Sequence, residues 1–250
     1  MRLDDWSTAA VNLPEHADNP IHTDAGARAA GFAGALVAGV TIYAYLTHLP
    51  AVGWGEAWLA GGGAGVRFRQ PVLDGERVDC TVDDPDPDPD RDVGGGDDGE
   101  VAHVAARVDG EARAEATFRS SAIAPSEADG PELDPVEFVV DPSWSNYGAR
   151  AGDDCAIYAE RSIAHPVTWP RIANGFCHDR LARGPWIHVR SDVVHLATAP
   201  VGSLLRARAR VADRFDSRAG ERAVLDVRIS ADGVDVAAVE HEAIIELASR

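Results

Sequence analysis

Lysine is absent: all 23 basic residues of this 250-residue chain are arginine. Against them stand 41 acidic residues, giving a net charge of −18. A surface this negative repels nucleic-acid phosphates and anionic lipid headgroups, so neither nucleic acid nor membrane is expected as a partner. It favours solubility, while self-repulsion weakens the fold at low ionic strength. A high-salt habitat accounts for such a surface; a genome whose codons favour Arg, Ala, Gly and Asp is the alternative. Cysteine is scarce too. Cys80, Cys155 and Cys177 stand far apart, odd in number and without a CxxC pair. That argues against a disulfide framework or zinc ribbon and for a reducing, cytoplasmic setting. No HxxxH or clustered carboxylate pattern points to a metal. The opening Met-Arg-Leu-Asp-Asp-Trp lacks the apolar core of a secretory signal. One run, Ala29 to Thr47, carries no charge and is nearly long enough to span a bilayer. Its glycines, alanines and two tyrosines read instead as a helix enclosed by protein.

What is present divides in two. Asp83 to Glu100 alternates Asp with Pro and then runs through glycines, a composition that forms neither helix nor sheet and reads as a long loop between strands. A second Pro- and Gly-containing stretch, 125–135, reads as a linker between a first unit, 1–124, and a second, 136–250. The order of elements repeats across it. The uncharged helix is followed by Val66-Arg67-Phe68-Arg69, then by a pair of alternating strands around Asp109-Gly110. In the second unit a helical stretch from Trp169 to Leu181 precedes Ile187 to Arg190, Leu204 to Val211, and strands around Asp232-Gly233. Asp-Gly between alternating strands is a strong hairpin signal. Each unit is therefore expected to be one apolar helix wrapped by a curled antiparallel sheet, an α+β double hot-dog whose two sheets pair within the chain.

The segment Ala17-Asp18-Asn19-Pro20-Ile21-His22, running on to Phe32 and Gly39, resembles the motif of the MaoC-like (R)-specific enoyl-CoA hydratase and dehydratase family. Asn19, Pro20, Ile21 and His22 match as they stand, as do Phe32 and Gly39. Val66 through Val72, followed by Gly75-Glu76, is similar to the strand and turn that come next in that family. The resemblance covers about the first 80 residues; the second unit is similar only to a degenerate hot-dog. It implies an acyl-CoA thioester as partner, coenzyme A only as part of the substrate, and no separate cofactor. It further implies His22 as acid/base, the Gly39 N–H at a helix start as oxyanion donor, and Asn19, Phe32 and Val40 around the substrate. The family's Asp stands five residues before its His, a place held here by Ala17; Asp18 is the expected substitute, with Glu15 as a second candidate.

The chemistry suits those residue types. Adding water across an enoyl thioester builds an enolate whose oxygen needs a donor already in place. A histidine titrates near neutrality and exchanges protons without a large shift. Two other activities remain open on this reading: a hot-dog thioesterase, and a thioester-binding subunit without turnover. Arg206, Arg208 and Arg210 alternate along one expected strand, either to grip coenzyme A phosphates or as an ion-paired sheet face. His188 and His195, seven apart, are expected on opposite faces of theirs. His178-Asp179 reads as an exposed helix face, and His165-Pro166 as a turn. Free sheet edges are where a homo-oligomer would form.

Overall fold

The computed structural model describes residues 3–83 and 99–248, so most of the acidic Asp-Pro and glycine segment lies outside the described residues. The first half holds β1 (Trp6–Ala9), α1 (Asp24–Ala29), α2 (Gly39–Gly53), α3 (Gly55–Gly61), β2 (Gly63–Phe68), β3 (Arg77–Asp83), β4 (Val101–Val108) and β5 (Glu111–Arg119). The second holds β6 (Glu132–Val139), α4 (Pro142–Ser145), α5 (Tyr147–Arg150), α6 (Ile157–Arg161), α7 (Thr168–Phe176), β7 (Ile187–His195), β8 (Leu204–Ser217), β9 (Gly220–Ala231) and β10 (Val234–Leu247).

All ten strands join one antiparallel sheet in the order β1-β3-β4-β5-β2-β7-β10-β9-β8-β6. Read outward from its centre, the order is the same in both directions: each half contributes an equivalent five-stranded set. The seam is the β2–β7 pair, in register at Val66↔Ser191, so the two curled sheets pair within the chain as expected. Both Asp-Gly hairpins form. Asp109 and Gly110 have φ of 51° and 80°, Asp232 and Gly233 of 48° and 84°, the left-handed pair that a two-residue hairpin turn requires.

α2 is apolar on all sides, and every residue from Val40 to Ala51 is buried. A helix without a polar face has no stable place at a surface; the concave side of the first sheet encloses it. Its core partners include Val78 and Cys80 of β3 and Phe118 of β5. α7 fills the matching place in the second half. The two helices enter alike: Leu36 bridges Leu73, and the Val37 N–H donates to Val72 O and the Thr41 N–H to Ala38 O. At 127 positions on, Ile163 bridges Pro200, and the Ala164 N–H donates to Ala199 O and the Thr168 N–H to His165 O.

Three expectations change. The uncharged run is not one helix from Ala29: residues 30–38 are irregular, Gly31 has a φ of 89°, and the helix starts at Gly39. β6 begins at Glu132, so the end of the stretch read as a linker is strand. His188 and His195 do not face opposite ways. The β7–β10 register jumps between Glu242↔Arg190 and Ala243↔His188, leaving Val189 as an extra residue. Such a bulge inverts the alternation beyond it, and both histidines are buried. No helix among the described residues is long and apolar enough to cross a membrane.

Candidate active site

Asn19 precedes a proline and is extended, with φ −86° and ψ 115°, as the pre-proline position dictates. Pro20 then opens a single 3-10 turn that ends on His22. Thr23 caps the following α1, its hydroxyl oxygen accepting from the Gly26 N–H at 3.2 Å. Gly26 has a steric reason: a Cβ there would stand 2.2 Å from Pro20 O, so only glycine lets α1 fold back over the turn. The loop before α2 zips onto this turn from the other side. The Leu36 N–H donates to Ile21 O at 3.0 Å, and the Leu36 carbonyl lies 2.8 Å from His22 Nδ1. A carbonyl only accepts, so Nδ1 carries the proton and Nε2 keeps its lone pair. Burial lowers the pKa of His22, partly offset by the Leu36 carbonyl, so the ring is neutral at pH 7.

His22 and Gly39 line one cavity of about 280 Å³, together with Asn19, Phe32 and Phe68. Gly39 is the first residue of α2, where helix geometry leaves the N–H without an intrahelical acceptor. No hydrogen bond from it is formed among the described residues. The cavity has a second wall that comes from the other half: Asn174, just before the end of α7, then Trp186, His188, Arg222 and Ile244. Asn19 ties the walls together, donating from Nδ2 to Trp186 O at 3.0 Å. It makes no capping bond to its own turn. Its Oδ1 is buried without a partner among the described residues, as are Asn174 Oδ1, Trp186 Nε1 and His188 Nδ1. Four lining residues thus carry buried polar atoms without a protein partner among the described residues, and each such atom costs stability until a water or ligand group reaches it.

Several expected site residues stand elsewhere. Asp18 is exposed, and among the described residues no hydrogen bond or ion pair joins it to His22; at the end of the first turn its side chain faces solvent. Glu15 is held by Arg150 and by Arg171, the latter at 3.0 Å, and those cations with the Arg150 hydrogen bond keep its pKa low despite burial. Val40 is fully buried in the core, because the residue after Gly39 turns about 100° away from the cavity. No Asp or Glu is found among the described residues lining the cavity. The group beside His22 is another histidine. His16, its ring centre 5.8 Å away, bonds through Nε2 to the Tyr147 hydroxyl at 2.9 Å, which bonds Thr41 Oγ1 at 2.7 Å. Burial, with His22 nearby, pushes the His16 pKa down to about 4.

The remaining candidates fall outside the cavity. Arg206, Arg208 and Arg210 pair with Glu137, Glu127 and Glu132 on an open sheet face. His178 lies on the surface, 4.0 Å from Asp179. His165 is fully buried, its Nδ1 accepting from the Val167 N–H at 3.1 Å at the entry to α7. Folding also assembles a metal-compatible set that no spacing announces: His48, Asp153 and Asp154, with His48 Nδ1 2.6 Å from Asp153 Oδ1. None of them lines the cavity.

The second half cannot duplicate the site. Its residue equivalent to Gly39, 127 positions on, is Pro166, which has no N–H to offer. The sequence does not mark His188, Trp186 and Asn174 as site residues because long-range pairing brings them to the first half, through the β2–β7 seam, a bulge and the Asn19–Trp186 hydrogen bond, none of which leaves a local pattern.

No family model and no curated protein sequence matches this chain. Solved structures with the same architecture do. A MaoC-like dehydratase superposes with a TM-score of 0.61 at 12% identity, over 98% of each chain. A Mycobacterium tuberculosis protein described as having a double hot-dog fold gives 0.63 at 10% identity, over 98% of this chain and 96% of that one. An acyl-ACP thioesterase from Bacteroides thetaiotaomicron gives 0.54 at 10% identity, over 96% and 97%. At these identities the likeness shows the fold: the chain is a double hot-dog.

Proposed function

We propose that this chain is a hydro-lyase that adds water to an enoyl-CoA thioester or removes it from a 3-hydroxyacyl-CoA. One observation carries the reading: the Leu36 carbonyl occupies Nδ1 of a neutral His22, leaving Nε2 free, and Gly39, whose N–H forms no hydrogen bond among the described residues, lines the same cavity as His22. In hydration, Nε2 takes a proton from water as the water oxygen bonds to the β-carbon. The electron pair of the C=C bond moves to the α-carbon and onto the thioester oxygen, which the Gly39 N–H and the α2 dipole stabilise. The imidazolium then returns its proton to the α-carbon, and His22 is neutral again. Dehydration runs the same steps backwards. Asn19 and Phe32 flank the acyl group in this reading. Arg69 and Arg222, which line the cavity, are better placed for the anionic coenzyme than the β8 arginines.

Neighbours of the same fold include thioesterases, but a hot-dog thioesterase that activates water with a carboxylate needs one in the cavity, and the described lining has none. A thioester-binding role without turnover is the second reading, favoured by Ala17 where the resemblance calls for Asp. A crotonyl-CoA assay separates the three, following enoyl absorbance and free thiol together at low and molar salt. Enoyl loss without thiol, abolished in His22→Ala with the thermal transition nearly unchanged, is the expected result. Thiol release would replace the reading with a thioesterase, and binding without either signal would leave a carrier.

A further inference from the structure

Behind the second wall of the cavity runs a buried chain of hydrogen bonds that the reaction above does not use. His188 Nε2 lies 2.8 Å from Ser191 Oγ, and Ser191 Oγ lies 2.9 Å from His241 Nδ1. All three residues are buried. His188 Nδ1 and His241 Nε2, both buried, form no hydrogen bond among the described residues; His188 is part of the cavity lining and His241 is not. The His188 ring rests against Phe68, with ring centres 4.5 Å apart. A Cβ built on Gly39 would stand 3.4 Å from His188 Nδ1. The unpartnered nitrogen therefore sits beside the start of α2.

Ser191 has one proton to give, so the chain has two arrangements. Either His188 donates to Ser191 and Ser191 to His241, or the direction is reversed. The first leaves an N–H on His241 Nε2 in a sealed place without an acceptor. The second leaves only a lone pair there and sets the N–H on His188 Nδ1, beside Gly39, where a thioester oxygen bound at the start of α2 would be its acceptor. Buried N–H groups without partners are rarer than unpaired acceptors, so the second arrangement is preferred once that oxygen is bound. Burial holds both rings neutral, and a neutral imidazole N–H can polarise a carbonyl without carrying a charge.

We propose that the His188 Nδ1–H is the second donor to the thioester oxygen, paired with the Gly39 N–H, and that Ser191 and His241 are positioning residues that hold its proton on Nδ1. This rests on the reading that a thioester carbonyl lies at the start of α2, but not on any turnover there. On this proposal neither half alone holds both donors: one comes from α2 of the first half and the other from β7 of the second.

The test is the carbonyl stretch of butyryl-CoA, labelled with 13C at the thioester carbon and bound to the protein; this substrate has no double bond to hydrate. The band should move to lower frequency on binding, and most of that shift should vanish in His188→Leu and part of it return in His188→Asn, whose amide can donate from nearly the same place. In the crotonyl-CoA assay, His188→Leu should lose about 10²–10³ in kcat with KM changed by only a few fold. Should the leucine variant fail to fold, Ser191→Ala keeps the ring but frees its proton arrangement, and it too should shrink the shift. An equal band shift in wild type and in every folded variant would overturn the proposal. A His188-dependent shift without any hydration would preserve it and remove the hydro-lyase reading; no binding of butyryl-CoA would remove both.

Discussion

A single carboxylate decides how the site is understood at the scale of the residue. The resemblance requires an acid near His22, and the sequence offered Asp18 one position away from where it belongs. In the fold Asp18 faces solvent, so its place in sequence says nothing about its reach. His22 is instead oriented by a main-chain carbonyl, a partner invisible in any motif because every residue has one. Asp18→Ala should therefore leave kcat and KM for crotonyl-CoA hydration within about twofold of wild type and the melting temperature within a degree or two. A hundredfold fall in kcat would put the carboxylate back in the reaction and show that the turn moves when substrate binds.

The element that matters most is the start of α2. Its equivalent in the second half is led in by Pro166, in the turn just before α7, and a helix also accepts proline in its own first turn because no intrahelical bond is lost there. Gly39→Pro would copy that arrangement: the helix should persist by circular dichroism, while hydration falls by about 10²–10³ for want of the N–H. Activity retained in a folded Gly39→Pro protein would sink the oxyanion assignment. At this scale the sequence was legible where chemistry is local. Both Asp-Gly hairpins, the strands beside them and the Asn-Pro-Ile-His turn followed from residue type and spacing. It was illegible where a long-range pairing intervened. The Val189 bulge turns His188 inward only because β10 pairs with β7 in a shifted register. The first four residues of the edge strand β6, whose alternating burial is interrupted by Pro135, read as linker because an edge need not be apolar.

For the whole molecule, two sources of instability respond to different variables. Net charge of −18 repels itself at every neutral pH, and salt screens it. Buried histidines respond to acid instead. Burial pushes His165 and His195 down to about 4 and His241 to about 3. Each of these binds a proton near pH 6.5 once the chain unfolds but not while it is folded. More protons on the unfolded chain means that stability is fully present above about pH 6.5 and is lost as pH falls toward the native values. At pH 5 the loss is about 2 kcal/mol for each such histidine, so a few together rival the stability of a domain. Most carboxylates remain charged at that pH, so relief of the negative repulsion comes too late to compensate. The urea midpoint should therefore fall steeply between pH 7 and 5, and molar salt should raise it at both values without removing the slope. If salt abolished the slope, the acid response would be a surface-charge effect, and the buried histidines would be reaching protons in the folded state. That outcome would also undo the neutral His188 on which the second donor depends, so the stability profile and the carbonyl band test the same interior from opposite ends.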